Sequence, residues 1–221
     1  MSESPIKEFY KNKTIFVTGG TGFIGKVLIE KLLRSTEVSQ IYVLTRPKKG
    51  ETPQQRIKKL VESGLFDTLR EISPNSLERV HAIQGDVEEV GLGIQDTDLD
   101  ILYHEVDIVI HSAATVRFDE NLSKALRINV NGVSEILTIC KQMKKLEAMV
   151  HVSTAYVHCE NKFIDESLKM LPTSPRKTIE SLSLLGSDVT DDPVFTKSII
   201  GARPNTYTYT KVLKSFIGFV L

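Results

Sequence analysis

Cysteine is scarce in this chain of 221 residues: Cys140 and Cys159 are too few for a disulfide framework or a metal cluster, which makes a reducing compartment the default. Excess charge is missing too. Lys plus Arg and Asp plus Glu both number 28, so neither nucleic acid nor an anionic membrane surface is favoured as an electrostatic partner. The start, Met1-Ser2-Glu3-Ser4-Pro5, holds no apolar signal core. The terminal apolar run from Phe216 to Leu221 falls far short of the roughly 20 residues that span a bilayer. The chain therefore reads as not membrane-inserted. Internal repeats and low-complexity tracts are absent, and neither His111 nor the His158-Cys159 pair has partners at metal-ligand spacing, so no metal is expected. With 41% hydrophobic residues, what remains suffices for one sizeable core.

What is present alternates between strand-like and helix-like segments. Strands are expected at about 13–18, 40–45, 79–84, 107–111 and 148–153, near-continuously apolar as parallel strands covered on both faces are. The longest helical pattern runs from about Asn121 to Lys145, with Leu122, Ala125, Leu126, Val130, Val133, Ile136, Leu137 and Cys140 in period. The fold class that follows is α/β, a doubly wound parallel sheet in the order 3-2-1-4-5. Two stretches interrupt it. Residues 47–78 are basic and helical in flavour, and 159–203 form a polar insertion read as a flap over the site, with Ser174-Pro175 opening a helix and Gly186 stopping it.

Thr18-Gly19-Gly20-Thr21-Gly22-Phe23-Ile24-Gly25 joins the first strand to a helix. In that context the pattern points to a dinucleotide: Gly19 permits the tight turn, Gly22 clears space for the phosphates, and Gly25 lets the helix pack on the sheet. The helix N-terminus supplies N–H groups and a positive dipole end for the pyrophosphate. The second strand ends at Thr45-Arg46, with Lys48 and Lys49 close by and no carboxylate where an NAD-specific fold places one. A guanidinium there suits a 2′-phosphate, so NADPH is expected. Asp86 and Val87 follow the third strand; Asp86 is either an adenine contact or a plain turn aspartate. After the fourth strand, the small residues Ser112, Ala113 and Ala114 leave room for a dinucleotide, while His111 reads as a strand-end histidine.

Tyr207 and Lys211 form the second constellation. Four residues apart, they share one helical face, where the ammonium can lower the phenol's pKa and hold a ribose. Such a phenol can hand a proton to a carbonyl oxygen as hydride arrives. Tyr209 and Tyr156 have no lysine at that spacing. The hydroxyl that orients the carbonyl is Thr154 or Ser153, since alternate strand residues face opposite ways; Thr154 is preferred. Cys159 reads as an idle thiol.

On these residues the chain resembles the extended short-chain dehydrogenase/reductase superfamily, and more narrowly the N-terminal domain of alcohol-forming fatty acyl-CoA reductases. The resemblance runs through Thr18–Leu28, Ser63–Asp67, His111–Phe118, His151–Tyr156 and Arg203–Tyr207. It implies one NADP-binding reductase domain over 1–221, with the 159–203 insertion ahead of the Tyr207–Lys211 helix and a substrate region and C-terminal portion missing. The implied activity is NADPH-dependent, two-step reduction of a long-chain fatty acyl-CoA to a fatty alcohol through an aldehyde. Asn129 then corresponds to the superfamily's proton-relay asparagine, with an inconsequential helix polar residue as the alternative. The implied working place is the cytosolic side of a peroxisomal or endoplasmic-reticulum membrane, as a homo-oligomer or paired with a full-length relative. Alternatives are an inactive NADP(H)-binding module and another extended reductase or epimerase.

Overall fold

The computed structural model describes residues 4–48, 50–159, 161–164, 166 and 175–217. Five parallel strands, β1 (Thr14–Thr18), β2 (Gln40–Thr45), β3 (Val80–Gln84), β4 (Ile108–His111) and β5 (Ala148–His151), form one sheet in the order β3-β2-β1-β4-β5. That is the order expected from the alternation. The register places Thr18 beside both Leu44 and His111, so β1 delivers its C-terminal end between the ends of its two neighbours.

Strand residues alternate between two apolar clusters, as a pleat of period two requires. Ile15, Val17, Ile41, Val43, Ile108 and Ile110 face one cluster, joined by Ile29, Leu32, Leu33, Phe66 and Leu69. Phe16, Leu44, Ile83 and Val109 face the other, with Leu92, Leu102, Ile136 and Ile139. The helices supplying these residues are α1 (Pro5–Tyr10), α2 (Phe23–Ser35), α3 (Pro53–Val61), α4 (Asp67–Ile72) and α5 (Asp96–Glu105). They are followed by α6 (Leu122–Leu126), a π-helical segment (Arg127–Asn131), α7 (Gly132–Cys140), α8 (Pro175–Ser183), α9 (Ser187–Thr190), α10 (Pro193–Ile200) and α11 (Thr206–Ile217). Local chemistry sets several starts. Thr52 and Gln55 cap α3 reciprocally ahead of Pro53, and Asp192 accepts the Phe195 N–H at 2.8 Å ahead of Pro193.

The chain divides into two compact units. Unit 1 comprises Met1–Ala113 and Glu135–Val152 and contains the whole sheet; unit 2 comprises Ala114–Ser134 and Ser153–Leu221. Unit 2 has its own apolar centre, Leu122, Leu126, Val130, Leu182 and Leu213, with Ile179, Phe195, Ile199 and Tyr209 against it.

Some boundaries differ from the sequence expectation. The long helix ends at Cys140 rather than Lys145, because the chain tightens there: Met143 N–H bonds Cys140 O, Met143 is buried, and Lys144 N–H is drawn to Tyr103 O. β5 stops at His151, where its partner β4 ends at His111, and the Val152 N–H still reaches across to His111 O. Gly186 does not end α8; it is the N-cap of α9, with extended backbone. The insertion carries α8, α9 and α10, while Ser174 lies outside the described residues. Among the described residues, no helix is long and apolar enough to cross a membrane.

Candidate functional site

In unit 1 the glycine turn has the conformation that a phosphate cradle needs. Gly19 has φ +73°, and a Cβ on it would lie 2.7 Å from the Ala113 nitrogen, so no other residue fits without displacing the β4 end. A Cβ on Gly25 would strike the Gly19 carbonyl, which is why α2 starts hard against the turn. Gly22 N–H bonds Gly19 O at 2.9 Å, and Gly22 has no side-chain cap to offer α2. The N–H groups of Phe23, Ile24 and Gly25 therefore lie in a first turn that has no intrahelical acceptor for them. No carboxylate stands in that turn to compete with an anion. Phe23 and Ile24 are exposed, and Gly20 is buried against Val43 and Ile29.

Thr18 ties the turn to the β4 end. Its carbonyl accepts both the Ser112 N–H, at 3.1 Å, and the Ser112 hydroxyl, at 3.0 Å, and its own Oγ1 accepts the Ala113 N–H at 3.3 Å. That Oγ1 also pairs with His111 Nδ1 at 2.7 Å. His111 is wholly buried with its ring 5.2 Å from that of His151, the internal position expected of a strand-end histidine.

The basic rim at the β2 end contains more than the sequence suggested. Arg46 is exposed, and its Nη1 lies 3.6 Å from Asp86 Oδ2. No carboxylate follows β2 itself, yet one still stands beside Arg46: it arrives from the end of β3, which pairs with β2 with Thr45 opposite Gln84. Arg56 of α3 adds a second guanidinium to this rim. Its guanidinium donates to Arg46 O at 2.6 Å and to Thr21 Oγ1 at 3.2 Å, joining the β2 end to the glycine turn. The missed signal was its spacing, ten residues after Arg46, which brings a second guanidinium back to the same rim. Val87 packs on the second apolar cluster, Lys48 bonds Glu51 through the backbone, and Lys49 lies outside the described residues.

Unit 2 holds the Tyr207 constellation. Tyr207 and Lys211 share a face of α11, with Lys211 Nζ 5.9 Å from the centroid of the Tyr207 ring. The same ring meets Phe118 at 5.6 Å between centroids, tilted 46°. Lys211 is buried, and burial pushes its pKa below the usual lysine value. One turn on stands Lys214, which the sequence reading passed over. Burial, and then the charge of Lys211 beside it, push its pKa down to about 5.

Asn129 lies within the π segment and is completely buried. Its Oδ1 accepts the Thr115 N–H at 3.0 Å, and its Nδ2 donates to Thr115 O at 3.2 Å and to Thr210 Oγ1 at 3.1 Å. The side chain is thus committed to pinning the 114–121 loop, which begins at Ala114, to α11. Thr206 Oγ1 donates to Glu120 O at 2.8 Å and closes the other end of that loop. Thr154 and Ser153 are separated by environment. Ser153 is exposed, whereas Thr154 is half-buried at the start of a 3₁₀ turn, Ala155–His158, with its Oγ1 accepting the Tyr156 N–H at 3.3 Å. A hydroxyl that accepts from the backbone keeps its own proton available to donate.

Residues 17–215 match the NAD-binding family described as Male sterility protein. Fatty acyl-CoA reductase 1 of Mus musculus is 43% identical over 213 residues, covering 96% of this chain and 41% of that protein. Fatty acyl-CoA reductase 2 of Bos taurus is 43% identical over 211 residues, with 95% and 41% covered. The chain thus spans about two-fifths of the length of these curated relatives. Among solved structures, the terminal R domain from the myxalamid PKS-NRPS biosynthetic pathway superposes with a TM-score of 0.63 at 22% identity, covering 93% of this chain and 44% of that one. That likeness is one of fold.

Proposed function

Because the chain belongs to the NAD-binding family described as Male sterility protein, we propose that it binds NADPH and serves the reduction of a long-chain fatty acyl-CoA to the alcohol by way of the aldehyde. The glycine turn fits the pyrophosphate, since Gly19 and Gly25 are positions that an added Cβ would close. Thr18, Gly20, Thr21, Gly22, Phe23 and Ile24 complete the cradle. Arg46 and Arg56 offer two guanidinium groups for a 2′-phosphate, and Ser112, Ala113 and Ala114 give the dinucleotide small neighbours. When bound, the nicotinamide supplies the hydride.

The chain's own residues handle the charge and the protons. Hydride arriving at the thioester carbonyl leaves an oxyanion, which the hydroxyls of Tyr207 and Thr154 stabilise by donating to it. Collapse expels the CoA thiolate and leaves the aldehyde. In the second reduction, for which a second NADPH would supply the hydride, Tyr207 passes its proton to the alkoxide, and Lys211 would hold the ribose while biasing the phenol. Asn129 acts at one remove: it fixes α11 against the loop bearing Phe118, so the Tyr207 ring keeps its place. The peroxisomal or endoplasmic-reticulum face of a membrane is the working place that goes with this substrate.

The observation that carries the proposal is the Tyr207–Lys211 pair on one face of α11 in a chain 43% identical to a fatty acyl-CoA reductase. To test it, the purified protein is titrated with NADPH and NADH by cofactor fluorescence, and NADPH consumption is followed on adding long-chain acyl-CoA. Tyr207→Phe should retain NADPH binding and lose turnover. NADH bound as tightly as NADPH would remove the cofactor assignment. Firm NADPH binding with no acyl-CoA consumed by the wild-type protein would remove the reaction.

A further inference from the structure

The segment after β3 has a backbone that the nucleotide cradle alone does not call for. Gly91, Leu92 and Gly93 run consecutively through the left-handed region, with φ of +59°, +58° and +58°. Leucine is rare in that region, because its Cβ crowds the backbone there. Leu92 is nevertheless wholly buried, packed in the apolar cluster with Phe16, Leu44, Ile83 and Ile94. The turn is held from outside by one carboxylate: Glu135 Oε2, on α7, accepts the Gly91 N–H at 2.8 Å.

The turn in turn holds Asp86. Leu92 O accepts the Asp86 N–H at 2.8 Å, and a Cβ on Gly85 would collide with that same carbonyl. Asp86 O takes the Glu89 N–H at 3.1 Å, Asp86 Oδ1 takes the Glu88 N–H at 3.2 Å, and Asp86 Oδ2 stands 3.6 Å from Arg46 Nη1. Hydrogen bonds and a final ion pair therefore lead from Glu135 through the turn to the Arg46 guanidinium, entirely inside unit 1.

We propose that Glu135 is a positioning residue for cofactor selection: by clamping the left-handed turn it fixes Asp86, and through Asp86 it aims Arg46 at the 2′-phosphate of NADPH. The proposal rests on the assignment of Arg46 to that phosphate. Glu135 touches no nucleotide in this scheme; its effect passes through the backbone of the turn to Asp86 and from the Asp86 carboxylate to Arg46. Arg46 is a long exposed side chain with many rotamers, and the Asp86 pairing favours one of them.

The test uses half-molecules of the cofactor, so that no turnover is needed. Binding of 2′,5′-ADP and of 5′-ADP to the purified protein is measured by calorimetry. Glu135→Ala should weaken 2′,5′-ADP about tenfold, the scale of one charge-assisted hydrogen bond, and change 5′-ADP little. Glu135→Gln, which keeps an acceptor for the Gly91 N–H, should restore most of the preference. Gly91→Ala gives a second route that leaves Glu135 intact. A Cβ there meets nothing within 4 Å, so the change adds only left-handed strain to the turn, and it should reproduce the loss. Equal weakening of both ligands by Glu135→Ala, or no rescue by Glu135→Gln, would make Glu135 a purely structural residue and overturn the proposal. Failure of the underlying assignment has a different signature: Arg46→Ala then leaves the 2′,5′-ADP affinity unchanged.

Discussion

Replacing Arg56 by methionine separates the scaffold of the nucleotide rim from its chemistry. Methionine keeps the apolar stem and removes the guanidinium. Two hydrogen bonds disappear, the one to Arg46 O at 2.6 Å and the one to Thr21 Oγ1 at 3.2 Å. Bonds from a charged donor contribute about 1.5–3 kcal/mol each, and partial exposure puts both at or below the bottom of that range, for about 2.5 kcal/mol together. Part of this appears as stability: 1 kcal/mol shifts the Tm of a chain of this size by about 2–4 °C. The remainder, with the lost phosphate partner, appears as affinity, and NADPH should bind about 10- to 30-fold more weakly. NADH, which has no 2′-phosphate, should weaken by about threefold at most, from the loosened glycine turn. Arg56→Lys should fall between wild type and Arg56→Met, because an ammonium cannot bridge two acceptors with the planar fork of a guanidinium. Fluorescence titration with both nucleotides, alongside thermal unfolding, gives all three numbers. NADPH affinity within twofold of wild type, or an equal loss for NADH, would refute the assignment of Arg56 to the phosphate rim.

Asn129→Ala strands the Thr115 N–H and carbonyl in a buried place; the cost should be about 3 kcal/mol in urea unfolding, and Asn129→Asp, which cannot donate to Thr210, should cost more. Lys214 gives a pH-dependent prediction. Its folded pKa, at about 5, lies far below the ordinary 10.5, so between those values the unfolded chain binds one more proton than the folded one. The group's contribution to stability therefore rises with pH across that window, by at most about 1.4 kcal/mol per pH unit. Lys214→Met should raise stability more at pH 6 than at pH 9, and chemical unfolding at the two values checks it.

The sheet was legible because each strand is a short apolar run between turn signals, and parallel pairing buries both faces of β1. Strand order followed from alternation with helices. Tyr207 and Lys211 were legible for a similar reason, since a four-residue spacing on a helix implies a shared face. The π segment was not legible. Leu122, Leu126, Val130 and Val133 keep an ordinary helical period to the eye, and the extra residue in the turn accompanies the bonds of Asn129 to Thr115 and Thr210, which no pattern within the helix announces. A π turn of this kind is common where a function has been fitted into a helix. Lys214 escaped notice for the same reason: its burial depends on what packs over α11, which no pattern within α11 announces. The left-handed Leu92 breaks the propensity rule outright, and only its position in the apolar cluster explains it.

The rim shows why reading the residue after β2 alone is an incomplete rule for cofactor choice. An acid at that position selects NADH by meeting the ribose hydroxyls. Here Arg46 occupies it, but Asp86 comes alongside at 3.6 Å from the neighbouring strand end. For the NADPH assignment this pair sets a threshold. A 2′-phosphate carries more negative charge than one carboxylate and can draw the guanidinium toward itself while Asp86 still steadies it. Ribose hydroxyls are neutral and cannot, so with NADH the pair stays closed on itself. On the proposed assignment of Arg46 to the 2′-phosphate, Asp86→Asn should bring the NADH and NADPH affinities closer together, because Arg46 loses the partner that aims it. A variant that widened the gap between the two nucleotides would show that Asp86 merely competes with the phosphate.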